Sequence, residues 1–144
     1  MRDQFYLHFD TMPKGTSQQK GYNRYTGRYY KKDKVARAET EFGIALRSHR
    51  PKKPSEKPIK LTVWFAFDTV NKKLWGTYVD DEEEPWKGFE YKPTRPDTDN
   101  YIKEFKDVMT KLGFWKDDAQ VVDERIIKTY AEKATIMVRW EEIL

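Results

Sequence analysis

The decapeptide IKLTVWFAFD, residues 59–68, places Ile59, Leu61, Val63, Phe65 and Phe67 at every second position. Successive side chains of an extended chain point to opposite faces, so this pattern predicts a strand with one wholly apolar face. Upstream, SHRPKKPSEKP (48–58) carries three prolines and no apolar periodicity, and reads as a connecting loop. Before that loop, KVARAETEFGIALR (34–47) spaces Val35, Ala38, Phe42 and Ala45 as one apolar helical stripe, with Gly43 weakening the helix from within. Near the N-terminus QFYLHF (4–9) alternates Phe5, Leu7 and Phe9 against Tyr6 and His8, the pattern of a half-buried strand.

Downstream, YIKEFKDVMTKL (101–112) puts Ile102, Phe105, Met109 and Leu112 on one side of a helix. Asn100, Lys103 and Asp107 project from the other side, and Gly113 is placed to stop the helix. QVVDERIIKTY (120–130) and ATIMVRW (134–140) are rich in β-branched residues and joined by the short turn AEK, which predicts a closing hairpin. The order β, α, β, α, β, β implies an α+β protein: a single small domain over residues 1–144, with two helices packed on a mixed or antiparallel sheet. The segment between Phe67 and Arg95 holds two tryptophans and the acidic run DDEEE (80–84). It reads as an inserted hairpin at about 69–94 whose acidic tip faces water.

Composition narrows the chemistry. At 144 residues roughly 68–70% of the unfolded chain's surface can be buried in one domain, so a core forms without covalent staples. There are no cysteines, which excludes disulfides, thiolate zinc sites and cysteine nucleophiles. No apolar run approaches the roughly 20 residues of a membrane span, and MRDQFYLHFD lacks the regions of a signal peptide, so a cytoplasmic protein without membrane association is expected. The net charge of +4 is unevenly spread. Residues 14–37 hold eight basic residues against one acid, interleaved with Tyr22, Tyr25, Tyr29 and Tyr30. Cations for phosphates and aromatic faces for bases make Lys14, Lys20, Arg24, Arg28, Lys31 and Lys32 candidate nucleic-acid contacts; a solvated loop is the plainer alternative.

The stretch RPDTDN (95–100) supplies more short polar acceptors than one helix start needs. Asp97 and Asp99 lie two apart ahead of a helix N-terminus, where negative charge is favoured. Asp117 and Asp118 follow the other end of the same helix. Gathered carboxylates repel one another unless a cation neutralises them, and hard oxygen ligands suit Mg²⁺, with Mn²⁺ as the alternative ion. Such a site fits phosphodiester hydrolysis. Capping and turn roles for the same residues stand as the alternative.

The run RPDTDNYIKEFKDVMTKLGFWKDDAQVVDERIIK (95–128) resembles the signature of the RusA family of Holliday-junction resolvases, in which D-x-D-N-x-x-K opens a helix and D-D-x-Q-V follows it. Looser similarity extends to PKGTSQQK and YYKKDKVARAE. The resemblance implies a homodimeric, Mg²⁺-dependent endonuclease acting on four-way or other branched DNA in recombination and repair, of a kind often carried by phages and prophages. Carried over by position, the family's catalytic acids fall on Asp97, Asp99 and Asp118, which would be the metal ligands, and its essential lysine on Lys103. Asn100 would cap the helix or orient a carboxylate, Asp107 would hold Lys103 in place, and Asp117 would face away. The chain departs from the family pattern in the segment between Phe67 and Arg95. Two other functions fit the residues: a non-catalytic nucleic-acid-binding module, and a metal-dependent nuclease acting on flaps or RNA.

Overall fold

The computed structural model describes residues 1–14, 20–31 and 33–144, with the side chains of residues 20–23, 29–31 and 33–35 outside the description. The chain forms strands β1 (Arg2–Phe9), β2 (Lys20–Asn23) and β3 (Arg28–Lys31), then helix α1 (Asp33–Leu46) and strand β4 (Ile59–Asp68). Helix α2 (Thr98–Leu112) and strands β5 (Val121–Ala131) and β6 (Ala134–Glu142) complete it. The class is α+β, as expected. Two compact units divide the chain: one contains Met1–Met12, Glu56–Arg95 and Ala119–Leu144, the other Pro13–Ser55 and Pro96–Asp118.

The first unit is a four-stranded mixed sheet in the order β1-β6-β4-β5. β4 runs parallel to β5 and antiparallel to β6, with Val63 opposite both Ile126 and Val138. The predicted closing hairpin is therefore not formed, because β4 lies between β5 and β6. Only Glu132 and Lys133 separate those two strands in sequence. Three Cα steps of about 3.8 Å just span two interstrand spacings of about 4.8 Å, so this connection passes the end of β4 in an almost extended form. Central placement also explains the burial of β4. Leu61 through Phe67 are all buried, so the strand is apolar on both faces rather than on the alternating face alone.

The second face of β4 is covered by the insertion. Trp86 joins Trp64, Ala66, Ile127, Ala131 and Met137 in one buried cluster, with Phe89 packed against it. Trp64 meets Phe89 edge-on at 5.0 Å and Trp86 at 6.3 Å. In place of the hairpin expected at 69–94 the insertion forms two short 3-10 turns, Lys72–Leu74 and Pro85–Gly88, with Tyr78 and Phe89 edge-on at 5.2 Å and Trp86 and Phe89 packed on the sheet. The two arms approach at Gly88, where an added Cβ would lie 1.9 Å from the Thr77 carbonyl oxygen. The tail of the insertion pairs with β5: Tyr130 N–H donates to Glu90 O at 2.9 Å and Lys92 N–H to Lys128 O at 3.0 Å.

The acidic run is not a free tip. Arg139, buried, donates to the carbonyls of Glu82 at 2.8 Å and Glu83 at 3.1 Å. Arg2 pairs with the Glu83 carboxylate at 3.0 Å and Lys87 with that of Asp81 at 3.1 Å. The Asp81 side chain also accepts the N–H groups of Glu83 and Glu84. Several cations therefore neutralise the run from within its own unit.

Candidate active site

All the sequence-predicted site residues belong to the second unit. Its frame is the contact of α1 with α2. Phe42 of α1 sits edge-on to Tyr101 at 5.7 Å and to Phe105 at 5.0 Å, and Ile102, Val108 and Met109 are buried on the same helix. Burial of that stripe fixes which way α2 faces. Asp99 and Lys103 are left exposed and Asp107 half-buried, at i, i+4 and i+8, each about 6 Å of helix rise from the next.

Asp97 is the N-cap residue of α2, with extended backbone at φ −68° and ψ 142°. Its carbonyl accepts the Tyr101 N–H at 3.1 Å, but its carboxylate makes no cap hydrogen bond. Asp97 and Asp99 are both exposed, and Asn100 is half-buried. The buried hydroxyl of Tyr101 donates to the carbonyl of Pro13, which ties the start of the basic segment, and with it the exposed Lys14, to the first turn of α2.

At the far end Gly113 adopts a left-handed conformation, φ 88°, open to glycine at little cost. The Phe114 N–H then reaches the Met109 carbonyl at 3.1 Å and the Gly113 N–H that of Thr110 at 3.0 Å. This turn returns the chain along the helix. Trp115 is fully buried and donates from Nε1 to Thr110 Oγ1 at 2.7 Å, while the Thr110 hydroxyl contacts Oδ1 of Asp118. Asp118 opens a short 3-10 turn ahead of β5.

Asp118 and Asp107 meet, and their environments pull them apart. Burial is the largest influence on each. For Asp107 burial, the hydrogen bond with Asp118 and that neighbour's charge together raise its carboxyl to about 6, against the opposing charges of Lys103 and Lys111. For Asp118 burial is outweighed by hydrogen bonds from Asp107 and Thr110, the charge of Lys106 and a hydrogen bond from Trp115, which hold its carboxyl below the ordinary range. Asp118 is thus the carboxylate kept charged, and Asp107 the one that keeps the proton longer.

The structure joins Asp118 to Asp107 and places Asp97 at the N-cap and Asp99 in the first turn of α2. It does not unite all three predicted ligands: among the described residues no group of three or more His, Cys, Asp or Glu side chains is placed to hold a metal ion. Asp117 is exposed. Of the candidate nucleic-acid contacts, Arg24 and Arg28 are exposed on either side of the β2–β3 turn, which Gly27 makes at φ 68° and where Tyr25 is 99% exposed. The β2–β3 register places Lys20 opposite Lys31. Lys32 and the side chains of Lys20 and Lys31 lie outside the described residues. Thr110 and the indole N–H of Trp115 were not among the expected site residues. The signal available was the position of Thr110, one turn beyond Asp107 on its polar face.

Residues 10–141 match the family described as Endodeoxyribonuclease RusA. The crossover junction endodeoxyribonuclease RusA of Lactococcus phage r1t is 32% identical over 145 residues, covering 99% of this chain and 100% of the relative. The chain belongs to the RusA family. A shorter, denser match links it to the crossover junction endodeoxyribonuclease RusA of Escherichia coli (strain K12), 59% identical over 34 residues, 24% of this chain and 28% of the relative. An uncharacterised protein of Bacillus subtilis (strain 168), YqaN, is 40% identical over 62 residues, 43% of each chain. The RusA resemblance read from the D-x-D-N-x-x-K and D-D-x-Q-V segments is borne out over nearly the whole chain.

Proposed function

We propose that this RusA-family protein is a structure-selective DNA endonuclease that resolves four-way junctions by hydrolysing phosphodiester bonds, in DNA recombination and repair. Two full-length or local relatives bear the name of crossover junction endodeoxyribonucleases. The observation that carries the catalytic reading is Asp97. An aspartate at an N-cap ordinarily accepts a backbone N–H of the first turn, and this one does not. Its charge is left for another partner.

The donor set fits a hard cation. Asp97 and Asp99 offer exposed carboxylates at a helix N-terminus, and Mg²⁺ typically takes one or two carboxylates while keeping several waters. These two residues would hold Mg²⁺, or Mn²⁺ as the alternative, with Asp118 as the third carboxylate of the reading. The bound ion supplies polarisation of the phosphodiester and a water of lowered pKa. Lys103, exposed one turn below Asp99, aims an ammonium at charge developing on the scissile phosphate. Asn100 supports the turn that presents Asp99. Lys14 and the β2–β3 ribbon, with Arg24 and Arg28 exposed, bind the DNA backbone.

Paired nicks across a junction need two active sites related by a two-fold axis, so the working form is a homodimer. No helix among the described residues is long and apolar enough to cross a membrane, and the protein acts in the cytoplasm of a bacterial or phage-infected cell. The test is cleavage of labelled four-way junction, duplex, flap, single-stranded DNA and RNA with and without Mg²⁺. Paired nicks in the junction that require the ion are expected. Binding without cleavage under every condition would make it a recognition module, and preferential cutting of flaps or RNA would reassign the substrate. Sedimentation of a fully active monomer would remove the dimer.

A further inference from the structure

Thr110 stands between a buried indole and an active-site carboxylate. Its Oγ1 accepts the Trp115 Nε1 proton at 2.7 Å, and its own single proton has two acceptors within reach, Oδ1 of Asp118 and the Lys106 carbonyl at 3.1 Å. An ionised carboxylate is the stronger acceptor. The indole is a donor only, so it occupies a lone pair of the hydroxyl and leaves the proton for Asp118. Trp115 is itself immobilised: it is fully buried, it lies beside the bend at Gly113, and the Ser55 N–H donates to the Phe114 carbonyl at 3.1 Å.

We propose that Trp115 and Thr110 form a positioning relay that fixes the rotamer of Asp118 and occupies its Oδ1. Together with the hydrogen bond from Asp107, this orders the side chain before the reaction begins. Carboxylates that act on metals or phosphates depend on such outer partners for orientation. The relay rests on the reading of Asp118 as a catalytic carboxylate, and it assigns roles to two residues outside the D-x-D-N-x-x-K and D-D-x-Q-V segments.

The experiment uses the full chain and a labelled four-way junction, with Thr110→Val, Thr110→Ser and Asp118→Asn. Valine keeps the shape and removes the hydroxyl; serine keeps the hydroxyl. Thr110→Val is expected to lower the single-turnover cleavage rate by about 10–100-fold, the range for losing an outer partner, with junction affinity measured in EDTA unchanged. Thr110→Ser is expected to recover most of that rate. Wild-type rates from Thr110→Val alongside an inactive Asp118→Asn overturn the relay and leave the catalytic reading intact, whereas an active Asp118→Asn overturns both. A readout independent of turnover is the Trp115 indole N–H resonance in metal-free protein, assigned with Trp115→Phe. It should shift in Asp118→Asn, and the relay is overturned by an unmoved resonance or by an equal shift from Asp118→Asn in a Thr110→Ala background, where only the direct contact of Trp115 with Asp118 is left.

Discussion

Asp97 illustrates how a single side chain can satisfy a helix with its backbone and keep its charge for something else. Its carbonyl closes the first turn while the carboxylate stays outside the cap. Asp97→Asn, Asp99→Asn and Asp118→Asn are expected to leave junction binding intact and abolish Mg²⁺-dependent cleavage; three active variants would return these residues to capping and turn roles. Lys103 offers a separate check. It is exposed, so Lys103→Ala should change stability by no more than about 0.5 kcal/mol, while turnover falls by roughly 10²-fold, as for a lost transition-state donor. Lys103→Arg should restore binding and only part of the rate, since a planar fork does not reproduce a compact ammonium. Normal single-turnover cleavage by the alanine variant would take Lys103 out of the site. Asp97, Asp99 and Lys103 were legible in the sequence because their relation is local, set by helix periodicity. The contact of Asp107 with Asp118 was not, because it depends on the bend at Gly113 and on where buried Trp115 sends the chain. Periodicity pointed Asp107 at Lys103 alone.

Among the elements, the strand at 59–68, the two helices and the stop at Gly113 follow from local pattern, and all are present. The short strands β2 and β3 in the basic segment were not foreseen, and the other failures are pairings. β5 and β6 are adjacent in sequence and carry hairpin composition, yet each pairs with β4, and Trp64 and Ala66 of β4 join Ile127, Ala131 and Met137 of those strands in one buried cluster. The insertion differs too: Trp86 covers β4 where a paired hairpin was expected. Two glycine substitutions test this account with opposite signs. In α1 an added Cβ at Gly43 would meet Val108 Cγ1 at 3.8 Å, an ordinary contact, so Gly43→Ala should stabilise by about 0.5–1 kcal/mol in denaturant melts. Gly88→Ala drives a methyl into backbone and should destabilise by about 1–3 kcal/mol, with the emission of the Trp64–Trp86 cluster altered. For the β2–β3 ribbon, removing Arg24 and Arg28 should make the dependence of log K on log salt shallower by roughly 0.9 per lost phosphate contact. Weaker binding at an unchanged slope would show that the arginines do not touch the backbone.

Across the whole molecule, the acids of the insertion are answered by cations within the sheet unit, while Lys14, Arg24 and Arg28 of the other unit are exposed. Asp81 titrates below its ordinary 3.8, chiefly because the Glu84 N–H donates to it and next because of Lys87; Glu83 lies below 4.5, chiefly through Arg2 and then Arg139. A carboxyl whose pKa is depressed by folding contributes stability that is complete above its unfolded value and disappears as pH falls through the folded one. Arg2→Gln should therefore melt below the wild type at neutral pH, with the gap closing as the solution is taken below pH 4.5 and through the depressed pKa of Glu83. A gap that persists unchanged in strong acid would show that Arg2 acts by packing and not by charge.

The interior position of β6 reaches beyond the finished structure into how the chain is made. β6 is the last strand of the sequence, yet it is the one that joins β1 to β4. While the ribosome is still short of Ala134, β1 has no neighbour and β4 shows an unfilled edge, however long the growing chain has waited. Contacts between the first and last strands are the most distant in sequence that the protein makes, and non-local pairing of this kind slows folding, toward milliseconds to seconds. A sheet assembled in this order stays incomplete until β6 has been made. Nascent chains stalled before β6 should be cut by protease throughout β1, and the protection of β1 should appear in one step once β6 has emerged.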